Sequence, residues 1–202
     1  MPFWSTTFQN TEDVLKDPKR NFRFFVTITG INTDNGGSMV WYAKDVSKPT
    51  FTMAEATHEY LNHTYYYPGK VTWNTVELKM VDPSGDPDVA ATMAGIMTGA
   101  GYRLPVTPDS NNLTSMSKQK AAGAIGTVKI TQVDSEGKPL ETWTLWNAFA
   151  TEVQFGGTLA YGNDDLTEYI LKIRYDWAQL ETAAGSNALA APGENLFFDI
   201  SR

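Results

Sequence analysis

The chain has 202 residues, 42% of them hydrophobic and 12% aromatic, enough for one domain with a sizeable core. Acidic residues outnumber basic ones 23 to 16, which excludes a surface that grips nucleic acid by neutralising phosphates. There are no cysteines, so disulfide frameworks and cysteine-ligated metal sites are excluded. The first residues show no basic segment leading into an apolar one, so no secretory signal is expected, and no apolar run is long enough for a membrane helix.

Residues 21–30, NFRFFVTITG, are β-branched and aromatic and end at a glycine. They read as a strand. The turn formers Asp34 to Gly37 follow, and residues 39–46 read as the returning strand of a hairpin. Residues 47–70, SKPTFTMAEATHEYLNHTYYYPGK, keep neither a period of two nor one of 3.6. They read as a long ordered loop, because their aromatics (Phe51, Tyr60, Tyr65, Tyr66 and Tyr67) argue against disorder. Three adjacent tyrosines cannot all face one core.

Residues 70–82 read as one long strand with a bulge near Asn74 and Thr75, where the alternation slips by one. A helix follows, with Asp86 as N-cap, Pro87 at its first position, and Val89, Met93, Ile96 and Met97 as its apolar face. The glycines of GAGYRL end it. Residues 115–125 form a short second helix. Residues 126–134 and 138–156 flank DSEG as a hairpin, with Asn147 dividing the second stretch into two strands. In EYILKIRYDWA, Tyr169, Leu171, Ile173, Tyr175 and Trp177 alternate with Ile170, Lys172, Arg174 and Asp176. That predicts one long strand with an apolar face and a charged, wet face. The domain is expected over residues 1–180, with 181–202 as an extension.

The sequence assembles no constellation of catalytic groups. No G-x-S-x-G elbow, Walker loop or dinucleotide fingerprint is present. His58 and His63 stand five apart, the wrong spacing for one face of a helix or strand, so no metal site is expected. The acidic clusters Asp82, Asp86, Asp88 and Asp164, Asp165 suit helix and turn chemistry. A non-enzymatic protein without cofactors is the expectation.

Three long stretches resemble the contractile-tail tube proteins of T4-like bacteriophages: VSKPTFTMAEATHEYLNHTYYYPGKVTWNTVELKMVDP, GTVKITQVDSEGKPLETWTLWNAF and VQFGGTLAYGNDDLTEYILKIRYDWA. The similarity covers residues 18–178 and lies in the order and content of segments rather than in a short motif. It implies a mainly β fold, an antiparallel β-sandwich or partial barrel with one flanking α-helix. It further implies hexameric rings whose strands join in a continuous β-barrel channel, with the rings stacked inside a sheath. Related tubes serve type VI secretion and contractile injection systems.

The implied partners are further copies of the chain, the sheath, the tape-measure protein, and baseplate and tail-terminator proteins. DNA would pass without specific binding, and no membrane anchor is involved. The implied setting is the virion tail, with assembly in the host cytoplasm. By the same resemblance, residues 47–70 contact the neighbouring ring through Phe51, Tyr60, Tyr65, Tyr66 and Tyr67. Trp73, Lys172, Arg174 and Asp176 would lie on inter-subunit or channel strands. An acidic lumen would repel DNA. The alternatives are a baseplate tube-initiator or injection-system tube subunit and, in a different class, a carbohydrate-binding β-sandwich with Trp73, Trp143 and Trp146 as sugar platforms.

Overall fold

The computed structural model describes residues 18–30, 43–84, 88–103, 115–162 and 164–182. Ten strands and two helices follow one another in these segments. They are β1 (Phe24–Ile28), β2 (Ala43–Val46), β3 (Phe51–Tyr60), β4 (His63–Trp73), β5 (Val76–Val81), α1 (Val89–Gly99), α2 (Lys118–Ile125), β6 (Val128–Val133), β7 (Pro139–Trp146), β8 (Phe149–Gln154), β9 (Glu168–Arg174) and β10 (Trp177–Thr182). The fold is mainly β and antiparallel. Among the described residues, one sheet has the order β1-β6-β7-β10, a second has β2-β5-β9-β8, and β3 and β4 pair only with each other.

The two four-stranded sheets enclose one core. Val26, Ile28, Val128, Ile130 and Leu145 come from the first sheet, and Val76, Leu78, Met80, Leu171 and Ile173 from the second. Both inner faces follow from strict alternation, as in β5, where Val76, Leu78 and Met80 are buried and the residues between them are not. Val89, Met93 and Ile96 of α1 and Ile125 of α2 complete the core. The helices therefore add to the sandwich instead of forming a layer of their own, and there are two where the resemblance implies one.

Several elements end where chemistry demands. Asp88 caps α1, its Oδ1 accepting the Ala91 N–H at 3.0 Å. The cap is thus two residues past the expected Asp86, which with Pro87 lies outside the described residues. Met97 is 40% exposed, because the buried positions 89, 93, 96 and 100 recur along a different stripe. Gly101 closes the helix at φ +99°, as its sequence implies. Asn147, at φ 53°, separates β7 from β8 as expected. In the β6–β7 turn, Asp134 Oδ1 accepts the N–H groups of Glu136 and Lys138, each at 2.8 Å.

Three sequence expectations need correction, all at places where the chain changes sheet. β1 pairs with β6 and β2 with β5, so they are not a hairpin. Residues 70–82 are not one bulged strand. β4 stops at Trp73 in the hairpin and β5 starts at Val76 in the second sheet, with Asn74 N–H donating to Thr50 O at 2.8 Å. The long final strand likewise divides at Asp176, whose carboxylate accepts Lys118 Nζ at 2.7 Å and Asn147 Nδ2 at 2.8 Å. Beyond that point Ala178, not Trp177, takes the core position.

Gly30 marks the close approach of β1's end to the end of α2. A Cβ there would lie 2.4 Å from the Ile125 carbonyl carbon. Gly30→Ala is expected to cost about 1–3 kcal/mol through overpacking, read as a lower urea midpoint at unchanged slope.

Candidate assembly interface

Residues 47–70 are no loop. They contain most of a hairpin whose strands run ten and eleven residues, joined at Leu61 and Asn62 with Leu61 at φ 54°. Every residue of β3 is exposed. Its reach is about 33 Å. Phe51, Met53, Tyr60, Leu61, Tyr65, Tyr66, Tyr67 and Val71 are all large, apolar and exposed. A two-stranded ribbon alone in water is marginal, and an uncovered apolar patch of this kind marks an interaction site.

The pairing explains why the sequence shows no period. Phe51 pairs with Trp73 and Met53 with Val71, but Glu55 pairs with Pro68. Over that step β3 advances two residues and β4 three, so β4 bulges with Gly69 and Lys70 opposite Ala54. Gly69 suits the bulge, since a Cβ there would stand 2.9 Å from Ala54 O.

Cross-strand partners share a face and β3 alternates without interruption. Phe51, Met53, Val71 and Trp73 therefore share a face with Glu55, Thr57, Glu59, Thr64, Tyr66 and Pro68 farther out. The opposite face carries Ala56, His58, Tyr60, His63, Tyr65 and Tyr67. The apolar side thus changes face at the bulge. Near the base it packs inward, with Phe51 against Trp73 at 5.2 Å and Trp73 against Tyr175 at 5.9 Å between ring centroids. Farther out, Tyr65 and Tyr67 look one way and Tyr66 the other. Both histidines share that distal aromatic face, because the chain reverses between them. His63 stacks edge-on against Tyr65 at 4.7 Å. Sequence reasoning passed over Met53, Leu61 and Val71, whose only signal is apolarity within an irregular stretch.

The outer face of the second sheet is charged. It carries four cations, Lys44, Lys79, Lys172 and Arg174, and four anions, Asp45, Glu77, Glu152 and Glu168. Lys172 meets Glu152 at 2.7 Å, Lys79 meets Asp45 at 3.8 Å and Glu77 at 3.9 Å, and Lys44 pairs with Glu168. The hydrogen bond from Lys172 holds the Glu152 carboxyl below its ordinary range, and the same bond raises Lys172. Such exposed pairs add little stability, but they cancel charge locally. The chain's excess of seven negative charges is therefore absent from this face. Trp73 and Asp176 stand apart from it, the first under the hairpin base and the second at the β9–β10 bend.

The fold has solved counterparts. A chain of the anti-feeding prophage baseplate aligns with TM-score 0.58 and 15% identity, covering 83% of this chain and 98% of its own. A chain of the anti-feeding prophage tube-terminating cap aligns at 0.59 and 16%, covering 84% and 94%. A chain of the sheath–tube complex of the PVC extracellular contractile injection system aligns at 0.57 and 15%, covering 88% and 99%. This chain has the fold of contractile-particle components. No protein-family profile and no curated protein sequence matches it.

On this fold the three tryptophans form no shared platform. Trp73 lies beneath the hairpin, Trp143 faces the core side of β7, and Trp146 looks out from the opposite side beside Trp177. Among the described residues, no three histidine, aspartate or glutamate side chains gather to hold a metal ion.

The hairpin base is fastened to the first sheet by a buried carboxylate that sequence reasoning missed, the lone charged residue in PLETWTLW. Glu141 accepts Lys19 Nζ at 2.6 Å, Lys48 Nζ at 2.9 Å and Trp143 Nε1 at 2.6 Å. Lys48, just before β3, also donates to Gln132 Oε1 at 2.9 Å. Burial alone would raise the Glu141 pKa, but the three donors outweigh it and hold the carboxyl at about 2. Because the folded value lies below the ordinary 4.5, the stabilisation is present above that pH and is lost as pH falls from there towards 2. Glu141→Gln is expected to cost about 2 kcal/mol at neutral pH and to flatten the melting temperature's dependence on pH in the acid window. Thermal melts between neutral and acid pH check both.

Proposed function

We propose that the chain is the structural subunit of the inner tail tube of a contractile-tailed bacteriophage. Six copies close into a ring, rings stack, and their channel conducts the genome during ejection. The observation that carries this reading is the hairpin's distal aromatic face, which has a tyrosine interface composition and no cover among the described residues. Tyr60, Tyr65 and Tyr67 make the ring-to-ring contact, Tyr66 borders it from the hairpin's other face, and Phe51 and Trp73 brace the hairpin at its root. The fold likeness to a sheath–tube complex supports the same reading. So do β1, β10, β2 and β8, which end the two sheets among the described residues, edges that ring closure would cover.

The charged face of the second sheet, with Lys172 and Arg174, lines the channel in this account. Its balanced charges make it unlike the acidic lumen expected from overall composition. Polyanions pass because Lys44, Lys79 and Lys172 already have carboxylate partners, leaving little to gain from counterion release. The chain has no catalytic part in this role. Sheath, tape-measure, baseplate and terminator proteins are its partners, in the virion tail after assembly in the host cytoplasm.

The likeness to a baseplate chain supports a second reading, a tube-initiating first ring. The likeness to an injection-system complex supports a tube of that kind. Negative-stain microscopy of the purified chain tests the proposal. Hollow tubes are the expected result, single rings that never elongate favour the initiator, and separate monomers overturn both.

A further inference from the structure

Among the described residues, the second sheet carries a second exposed apolar excursion, at its other end. β5 and β9 pair from Val76 with Ile173 to Val81 with Glu168. The hairpin joins at the Val76 end. The β8–β9 connection, residues 155–167, joins at the other, where Asp82 N–H donates to Thr167 O at 3.1 Å. About 20 Å of strand separates the two.

That connection exposes Phe155, Leu159, Tyr161 and Leu166. Of these, Leu159 and Leu166 help wall an open groove of about 870 Å³, together with Asp164, Asp165, Ile170 and Lys44. Phe155 is anchored edge-on against Tyr169 at 6.0 Å, which ties the loop to the sheet.

Two unlike sticky surfaces at opposite ends of one sheet can meet head to tail, copy upon copy along an axis. Their chemistry also matches. The distal hairpin face offers aromatic rings with phenol O–H and imidazole N–H donors, and the groove offers aliphatic walls and carboxylate acceptors. We propose that the groove at residues 155–167 receives the distal aromatic face of the hairpin from a second copy in the adjoining ring. This rests on the tube reading above and adds the receiving surface to it.

The cysteine-free sequence makes a direct test clean. Chains carrying Tyr65→Cys and chains carrying Leu159→Cys are mixed, assembled, imaged and then oxidised. The expected result is a cross-linked dimer that needs both variants. Exchanging Tyr65→Cys for Tyr66→Cys, on the other face of the hairpin, should cut the yield by about tenfold, since bridging requires Cβ vectors that converge. A companion variant with Leu159→Ser and Leu166→Ser should give rings that do not stack. Intact tubes without the cross-link, or equal yields from Tyr65→Cys and Tyr66→Cys, would overturn the proposed contact while leaving the tube reading in place. If the unaltered chain forms neither rings nor tubes, the tube reading fails and the contact with it.

Discussion

With residues 55–66 replaced by an Asn-Gly turn, the chain is expected to fold, to close into rings, and to form no tubes. The removed segment contributes nothing to the core, none of whose buried residues lies in it. It leaves Phe51, Met53, Val71 and Trp73 at the hairpin root, so Tyr175 keeps its aromatic cover. It takes away His58, Tyr60, His63 and Tyr65, most of the face left exposed among the described residues. Loss of the central aromatic cluster typically costs an interface more than 2 kcal/mol per anchor, and a stacked ring presents every anchor several times over. Far-ultraviolet circular dichroism should show native strand content while micrographs show unstacked rings. Long regular tubes from this variant would refute the role given to the hairpin.

Leu171→Ala is expected to destabilise the sandwich by about 3 kcal/mol, through lost transfer energy and the cavity left behind. Leu171 is fully buried at the centre of the second sheet, paired with Leu78 on β5 and Val153 on β8. No neighbouring backbone can collapse into the space without breaking a ladder on one side. For a domain of this size the melting midpoint should fall by about 10 °C. A shift of only a degree or two would mean that the two sheets do not share one tightly packed core.

These two positions also mark what a reader of the sequence can recover. Leu171 is legible because Tyr169, Leu171 and Ile173 alternate with Ile170, Lys172 and Arg174, and Val76, Leu78 and Met80 alternate with Glu77 and Lys79 on the adjacent strand. Short-range signals were sound as well, among them Asn147 between two strands and Gly101 after the first helix. The points where the chain leaves one sheet for another were not legible. At Asn74–Thr75 and Tyr175–Asp176 the alternation of apolar residues resembles a bulge or simply continues, and only long-range pairing distinguishes a crossing from a bend. The hairpin hid for a related reason. Phe51 and Met53 share a face with Glu55 and Glu59, so β3 reads as irregular until the bulge at Gly69 and Lys70 is known. The presence of aromatics was legible, but their division between two faces was not. Nor were the loop at 155–167 and Glu141 recognised, since both depend on what stands opposite them.

The central claim is that this chain completes its surfaces by joining copies of itself around an axis. Sedimentation equilibrium of the full-length chain over a wide concentration range tests it most directly. The account predicts a species of six times the 22.4 kDa chain mass and larger multiples above it. A single species at 22.4 kDa at every concentration would contradict it.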